Sequence, residues 1–173
     1  MAADLRNVIV FAIGGERLAA ELRWVREVIS LGFVTAVPTA PPGISGAFNL
    51  RGHLVPVLDV GALARGAAGP QPRQGDAALL VEVDGVTAAL RVDKVEEVAT
   101  LAADGPGAVV DGRGQRVPLV DPGVVVRRAI AHANAVRGDA SRAEGLELDS
   151  GSPRDPTTGA RTLAPLDGDL TLG

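Results

Sequence analysis

Apolar residues in this chain come in short runs broken by glycine and by polar pairs. The three-to-four spacing of amphipathic helices is largely missing. Residues 8–13 form one apolar run, Gly14-Gly15 follows, and residues 18–22 form the next. The same arrangement returns at residues 78–83, Asp84-Gly85 and residues 87–92. Gly-Gly and Asp-Gly both accept the positive φ angles that two-residue turns demand, so the pattern predicts two β-hairpins. Residues 54–60 and 116–120 predict further strands. Pro56 and Pro118 lack an N–H, which assigns each to a sheet edge or a bulge. Small, strongly bent barrels suit such prolines better than flat sheets. Residues 25–31 and 95–101 fit neither period: apolar positions at 25, 28, 29 and 31 accommodate a strand or short helical turns.

These runs are two copies of one unit. Residues 11–31 read FAIGGERLAAELRWVREVISL and residues 81–101 read VEVDGVTAALRVDKVEEVATL. At a seventy-residue step Gly15 meets Gly85, Ala19 meets Ala89, Val25 meets Val95, Glu27 meets Glu97, Val28 meets Val98 and Leu31 meets Leu101. A second pair follows: GHLVPVLDVGALAR from Gly52 and GQRVPLVDPGVVVR from Gly114. Two similar subdomains related by a pseudo-two-fold are expected. The period is too long and the copies too few for a solenoid.

Composition narrows the class. Hydrophobic residues make up 46% of the chain but aromatics only 2%, so Val, Leu, Ile and Ala must fill the core, and Val favours strands. The net charge of −4 offers no basic field for a phosphate backbone, which argues against nucleic-acid binding. With no cysteine and only His53 and His132, thiol chemistry is excluded and a metal centre has little to draw on; no cofactor is expected. No apolar run approaches the roughly 20 residues of a membrane span, so direct membrane insertion is not expected and a cytoplasmic location is. Residues 37–46 and 65–75 read as loops, and residues 124–133 as a terminal helix. From residue 134 the chain turns polar, and the expectation is a disordered tail over 134–173 beyond an ordered domain over 6–133. Its brief apolar spots, Leu146/Leu148 and Leu163/Leu166, read mainly as linker composition.

The block VPTAPPGISGAFNLRGHLVPVLDV, residues 37–60, resembles the signature of the CheW family: a proline-rich approach, an I-x-G turn, N-L-R-G, then an apolar strand with Pro and a terminal Asp. The V-x-E-V of residues 25–28 and the V-D-x-V of residues 92–95 match as well. The likeness covers about residues 6–128. It implies an all-β fold of two intertwined five-stranded SH3-like barrels, without catalytic activity. It further implies an adaptor role in chemotaxis: bridging the cytoplasmic tip of methyl-accepting chemoreceptors to the regulatory domain of a CheA-type histidine kinase. Related adaptors also serve other motility and developmental signalling.

The resemblance carries residue expectations. Arg51 matches the arginine of the N-L-R-G turn and Glu27 its partner glutamate. The chemistry agrees independently: a lone Arg in an apolar run needs a carboxylate or carbonyl for its fork of donors. Gly46, Asn49 and Gly52 are expected to set backbone geometry beside the docking groove, since Gly and Asn accept left-handed conformations. Val25, Val28 and Phe48 are candidates for the same partner-binding surface, and Trp24 for core or interface. A rival class starts from Asp59 and Asp121, equivalent positions each followed by x-Gly, an arrangement that resembles the paired loops of aspartic proteases. The residues after them, Val60 and Pro122, are not the hydroxyl donors such loops need, and a strand-ending, turn-capping role is the simpler expectation. A free-standing homologue of the kinase's own regulatory domain is a further alternative. Walker, G-x-G-x-x-G and G-x-S-x-G motifs are missing from the sequence.

Overall fold

The structure is a computed structural model that describes the backbone of residues 2–150 and the side chains of residues 2–139. The first hairpin is β1 (Leu5–Ile13) and β2 (Glu16–Glu21); the repeated one is β7 (Ala77–Val83) and β8 (Val86–Val92). Gly14 and Gly15 have φ of 61° and 83°, and Asp84 and Gly85 have φ of 51° and 80°. Both turns thus carry the paired positive φ that matches strand twist.

The undecided segments are strands, β3 (Val25–Ser30) and β9 (Lys94–Ala103), and each contains a bulge. Val25 pairs with Val81 and Glu27 with Leu80, leaving Arg26 as the extra residue. Val95 pairs with Phe11 and Glu97 with Val10, leaving Glu96 extra. The inserted residue shifts the alternation by one, which is why neither a two-residue nor a helical period fitted.

The hairpins are exchanged. β1 and β2 of the first copy join β9 of the second, together with β10 (Ala108–Val110) and β11 (Arg116–Pro118), in the order β11-β10-β9-β1-β2. β7 and β8 join β3 of the first copy, with β4 (Val34–Thr35), β5 (Ile44–Leu50) and β6 (His53–Leu58), in the order β3-β7-β8-β6-β5-β4. A parallel bridge from Ala19 to Leu119 closes the first barrel, and its counterpart is the parallel pairing of Val57 with Ala89. The second sheet shows six strands rather than five because its counterpart of β9 is broken: β3 and β4 are one strand interrupted at Leu31–Phe33. Pro56 lies on β6 ahead of its pairing with β8, and Pro118 ends β11, so each faces an open edge as expected.

Three apolar clusters follow. Val8, Val10, Ala19, Val109 and Val117 fill the first barrel, with Leu101 beside them. Ala78, Leu80, Ala89, Phe48, Val55, Val57 and Leu31 fill the second. At the seventy-residue step Val8, Val10, Ala19 and Leu101 are the mates of Ala78, Leu80, Ala89 and Leu31, so the copies are also copies in packing. The largest cluster lies between the barrels, where Ile9, Phe11, Leu58, Leu79, Val81 and Leu90 meet Val125, Val126 and Ala129 of α1 (Pro122–Ser150). Trp24 is half-buried against this cluster, with the Arg23 guanidinium 4.9 Å from its ring centre.

α1 runs on past residue 134 to Ser150 as helical backbone, and residues 151–173 of the expected tail lie outside the described residues. Its first turns are fixed by packing, so extending it avoids the nucleation cost, and residues 135–148 are rich in Ala, Arg, Glu and Leu, good helix formers. Leu163 and Leu166 lie outside the described residues. Among the described residues no helix is long and apolar enough to cross a membrane.

Candidate docking surface at the Arg51 turn

β5 and β6 pair from Ile44–Leu58 to Leu50–His53, leaving Arg51 and Gly52 as a two-residue turn. Their φ angles are 52° and 89°. Positive φ is ordinary for Gly52 but uncommon for an arginine, so the turn holds Arg51 in a conformation its side chain does not favour. Asn49 Oδ1 accepts the Gly52 N–H at 2.9 Å and fixes the turn from inside.

The Arg51 side chain reaches Glu27 on β3. Nη1 donates to Oε1 at 2.9 Å and Nη2 to Oε2 at 3.2 Å, a two-pronged pair across 24 residues of chain. Both groups meet solvent: Arg51 is 70% exposed and Glu27 37%. The hydrogen bond from Arg51 holds the Glu27 carboxyl below the usual range, and the same bond raises Arg51 further. Both therefore stay charged at neutral pH. The pair sits where β3 has just passed its bulge, over the end of the second barrel.

The other expected residues divide. Val28 is 47% exposed on the outer side of β3. Val25 is half-buried against the inter-barrel core. Asn49 is exposed. Phe48, a candidate for the partner surface, is only 2% exposed and packs inside the second barrel, so it has no surface to offer a partner directly. Strand alternation decides this: Phe48 pairs with inward-facing Val55, and Asn49 with outward-facing Leu54. Gly46 lies under β4, where an added Cβ would stand 2.7 Å from the Thr35 carbonyl oxygen. Its missing side chain lets β4 close on β5.

Two exposed residues escaped the sequence analysis. Leu54 and Phe33 are each 75% exposed, Leu54 three residues from Arg51. Leu54 was legible in principle, since it has the opposite parity to Val55 and Val57. Phe33 gave no such signal, because it lies in the break between β3 and β4.

The paired aspartates serve their own turns. Asp59 accepts the N–H of Ala62 at 3.1 Å and of Gly69 at 2.7 Å; Asp121 accepts the N–H of Gly123 at 2.8 Å. Each carboxylate folds its local loop, the capping role that the sequence favoured over a shared-proton dyad.

Fold and site define a strand-exchanged double-barrel module with one polar clasp and exposed apolar residues at the Arg51 end. A family model described as a CheW-like domain matches residues 7–119, and the chain belongs to that family. It is 31% identical over 98 residues to the chemotaxis protein CheW of Rhizobium meliloti, a match covering 56% of this chain and 62% of that protein. It is 31% identical over 97 residues to a probable chemotaxis protein CheW of Rhizobium etli, covering 56% of this chain and 61% of that one. The matched region thus spans less than two-thirds of these relatives. Its fold is like that of the scaffolding protein TtCheW of Thermoanaerobacter tengcongensis, with a TM-score of 0.55 at 23% identity, covering 67% of this chain and 88% of that structure.

Proposed function

We propose that this protein is a non-catalytic scaffold of bacterial chemosensory signalling, coupling the cytoplasmic tips of chemoreceptors to a CheA-type histidine kinase, and that it docks through the Arg51 end of the second barrel. The observation that carries the site is the Arg51–Glu27 pair. A two-residue turn holds Arg51 in an unfavourable conformation that keeps a charged fork at the surface, while exposed Val28 lies one residue from Glu27 and exposed Leu54 three from Arg51 in the sequence. An exposed arginine fork on a surface that also carries exposed apolar residues has the composition of an interface anchor. Family membership and the named relatives support the pathway. Glu27, Arg51, Val28 and Asn49 would meet the partner; Val25, Gly46 and Phe48 would shape the surface from beneath.

The test is titration calorimetry of the purified chain against the regulatory domain of its cognate kinase, with Arg51→Ala alongside. Affinity should fall more than about tenfold in the variant, as for an anchoring arginine. Its thermal midpoint should move by no more than about 2 °C, because an exposed ion pair contributes little to folding. Equal affinity of folded Arg51→Ala and the parent chain would remove the docking site from this end. An unfolded variant would make the pair structural.

A further inference from the structure

The duplication places a second polar clasp at the equivalent end of the first barrel, and it is built differently. Arg17 on β2 gathers three carboxylates. Nη1 donates to Asp111 Oδ2 at 2.6 Å, Nε donates to Glu96 Oε2 at 2.7 Å, and Nη2 lies 3.7 Å from Glu97 Oε1. Glu97 is the seventy-residue mate of Glu27, so this cluster occupies the counterpart of the Arg51 site. Asp111, with its side chain only 3% exposed, is the joint of the arrangement. Its Oδ1 accepts the N–H groups of Arg113 at 2.9 Å and Gln115 at 2.8 Å, organising the turn between β10 and β11, while Oδ2 is held by Arg17.

Beyond the clasp, the hairpin is held by Arg116 Nε donating to Asp104 Oδ2 at 2.9 Å, by the Leu119 and Val120 N–H groups donating to the Gly107 and Ala19 carbonyls at its base, and by short ladders. β10 meets β9 at only two paired positions, Val109–Ala103 and Val110–Ala102, and meets β11 at three. The corresponding β5–β6 hairpin pairs at six. Ala108, Val109 and Val117 of the hairpin are buried, Val109 and Val117 against Val8, Val10 and Ala19, with Leu119 beside them. The second barrel has Phe48 and Leu80 in equivalent places. An open groove of about 770 Å³, lined by Lys94 and Arg113 as well as the clasp, gives water and ions access to it. Segments with few backbone bonds and little buried surface are the ones that open locally.

We propose that the β10–β11 hairpin is a flap latched by Arg17, opening when that guanidinium is released while the second barrel stays folded. The electrostatics give it a signature. With Arg17 in place the latch is an attraction, and salt weakens it. Without Arg17, the three carboxylates Glu96, Glu97 and Asp111 outnumber the Lys94 and Arg113 cations in the same groove, and salt relieves the repulsion that remains. Removing the arginine therefore reverses the sign of the salt dependence, which a merely space-filling role would not do.

Hydrogen–deuterium exchange of the full chain tests this, read at residues 108–118 and 44–58 in dilute buffer and at about 1 M NaCl, where screening reaches within about 3 Å. Arg17→Ala should speed exchange at residues 108–118 about tenfold and leave 44–58 unchanged. Salt should speed exchange at 108–118 in the parent chain and slow it in the variant. Arg17→Lys, which reaches fewer carboxylates, should fall between. Acceleration of both segments together, or unchanged exchange at 108–118, overturns the flap. Should Arg17→Ala fail to fold, salt-insensitive exchange at 108–118 in the parent chain and in Arg17→Lys overturns it equally.

Discussion

Phe48→Ala tests whether the exchanged strands make the barrels one cooperative unit. Phe48 is 2% exposed, so almost the whole ring leaves water on folding. Burying roughly 150–250 Å² at about 25 cal/mol/Å² is worth about 4–6 kcal/mol, and measured Phe→Ala losses run at about 3–5 kcal/mol. Its neighbours Val55, Val57, Leu80 and Ala89 sit on strands tied into a closed barrel and cannot collapse inward without breaking ladders, and Leu31 lies in the break between β3 and β4. The loss should therefore fall in the upper half of the measured range, lowering the thermal midpoint by roughly 10–20 °C. Phe48→Leu, which keeps most of the volume, should cost less than about 1.5 kcal/mol. The assay reads far-ultraviolet circular dichroism and Trp24 fluorescence on the same sample. Trp24 packs against the inter-barrel core, away from the interior Phe48 fills. If strand exchange welds the barrels together, both signals move to the same lower midpoint. A Trp24 midpoint that stays put while circular dichroism shows an earlier, separate transition would refute that reasoning.

Two further outcomes follow from local geometry. Gly46→Ala should destabilise the chain by about 1–3 kcal/mol in urea unfolding, because the new Cβ meets the Thr35 carbonyl at 2.7 Å and Val34 Cγ1 at 2.8 Å; unchanged stability would mean that β4 gives way freely. Asp111 supplies a pH dependence. The hydrogen bond from Arg17, then the Gln115 and Arg113 amides against the opposing effect of burial, lowers its carboxyl from 3.8 to about 2. A depressed folded value means its stabilisation is complete above the unfolded value and is lost as pH falls from about 4 towards 2. Asp111→Asn should flatten the acid limb of stability between those values, measured by chemical unfolding across that range; an unaltered limb would place the acid sensitivity elsewhere.

Much of this architecture was legible because the chain states it twice. The Gly14-Gly15 and Asp84-Gly85 turns and the proline edges are local features with local causes, and the structure reproduces them. The seventy-residue repeat even predicts which side chains share an interior. Which strand partners which was expected only through the family resemblance, which implies intertwined barrels. Nothing in residues 11–31 says that their hairpin will pair with β9 rather than β3, since either copy offers an acceptable bulged strand. The bulges hid the strands themselves, because one inserted residue, Arg26 or Glu96, erases the alternation by which strands are recognised. Among the site residues, Arg51 and Glu27 announced each other through unmet hydrogen-bonding demand. Phe48 did not announce its burial, because its neighbour Asn49 carries equal weight in the motif and only the pairing register separates them. The reach of α1 past residue 134 was not legible, because the composition there turns polar while the backbone carries on a helix already begun.

The exchange of hairpins has a consequence for how this chain tolerates cutting. Residues 65–75 lie between the two copies and look like the natural place for a protease to separate them. A nick there would release nothing. The amino-terminal piece would still hold β3, β4, β5 and β6 in a barrel that β7 and β8 of the carboxy-terminal piece complete, and that piece would still hold β9 against β1. The two fragments would remain clasped like linked rings, so in this molecule the boundary between the copies in the gene is not a boundary between bodies in space.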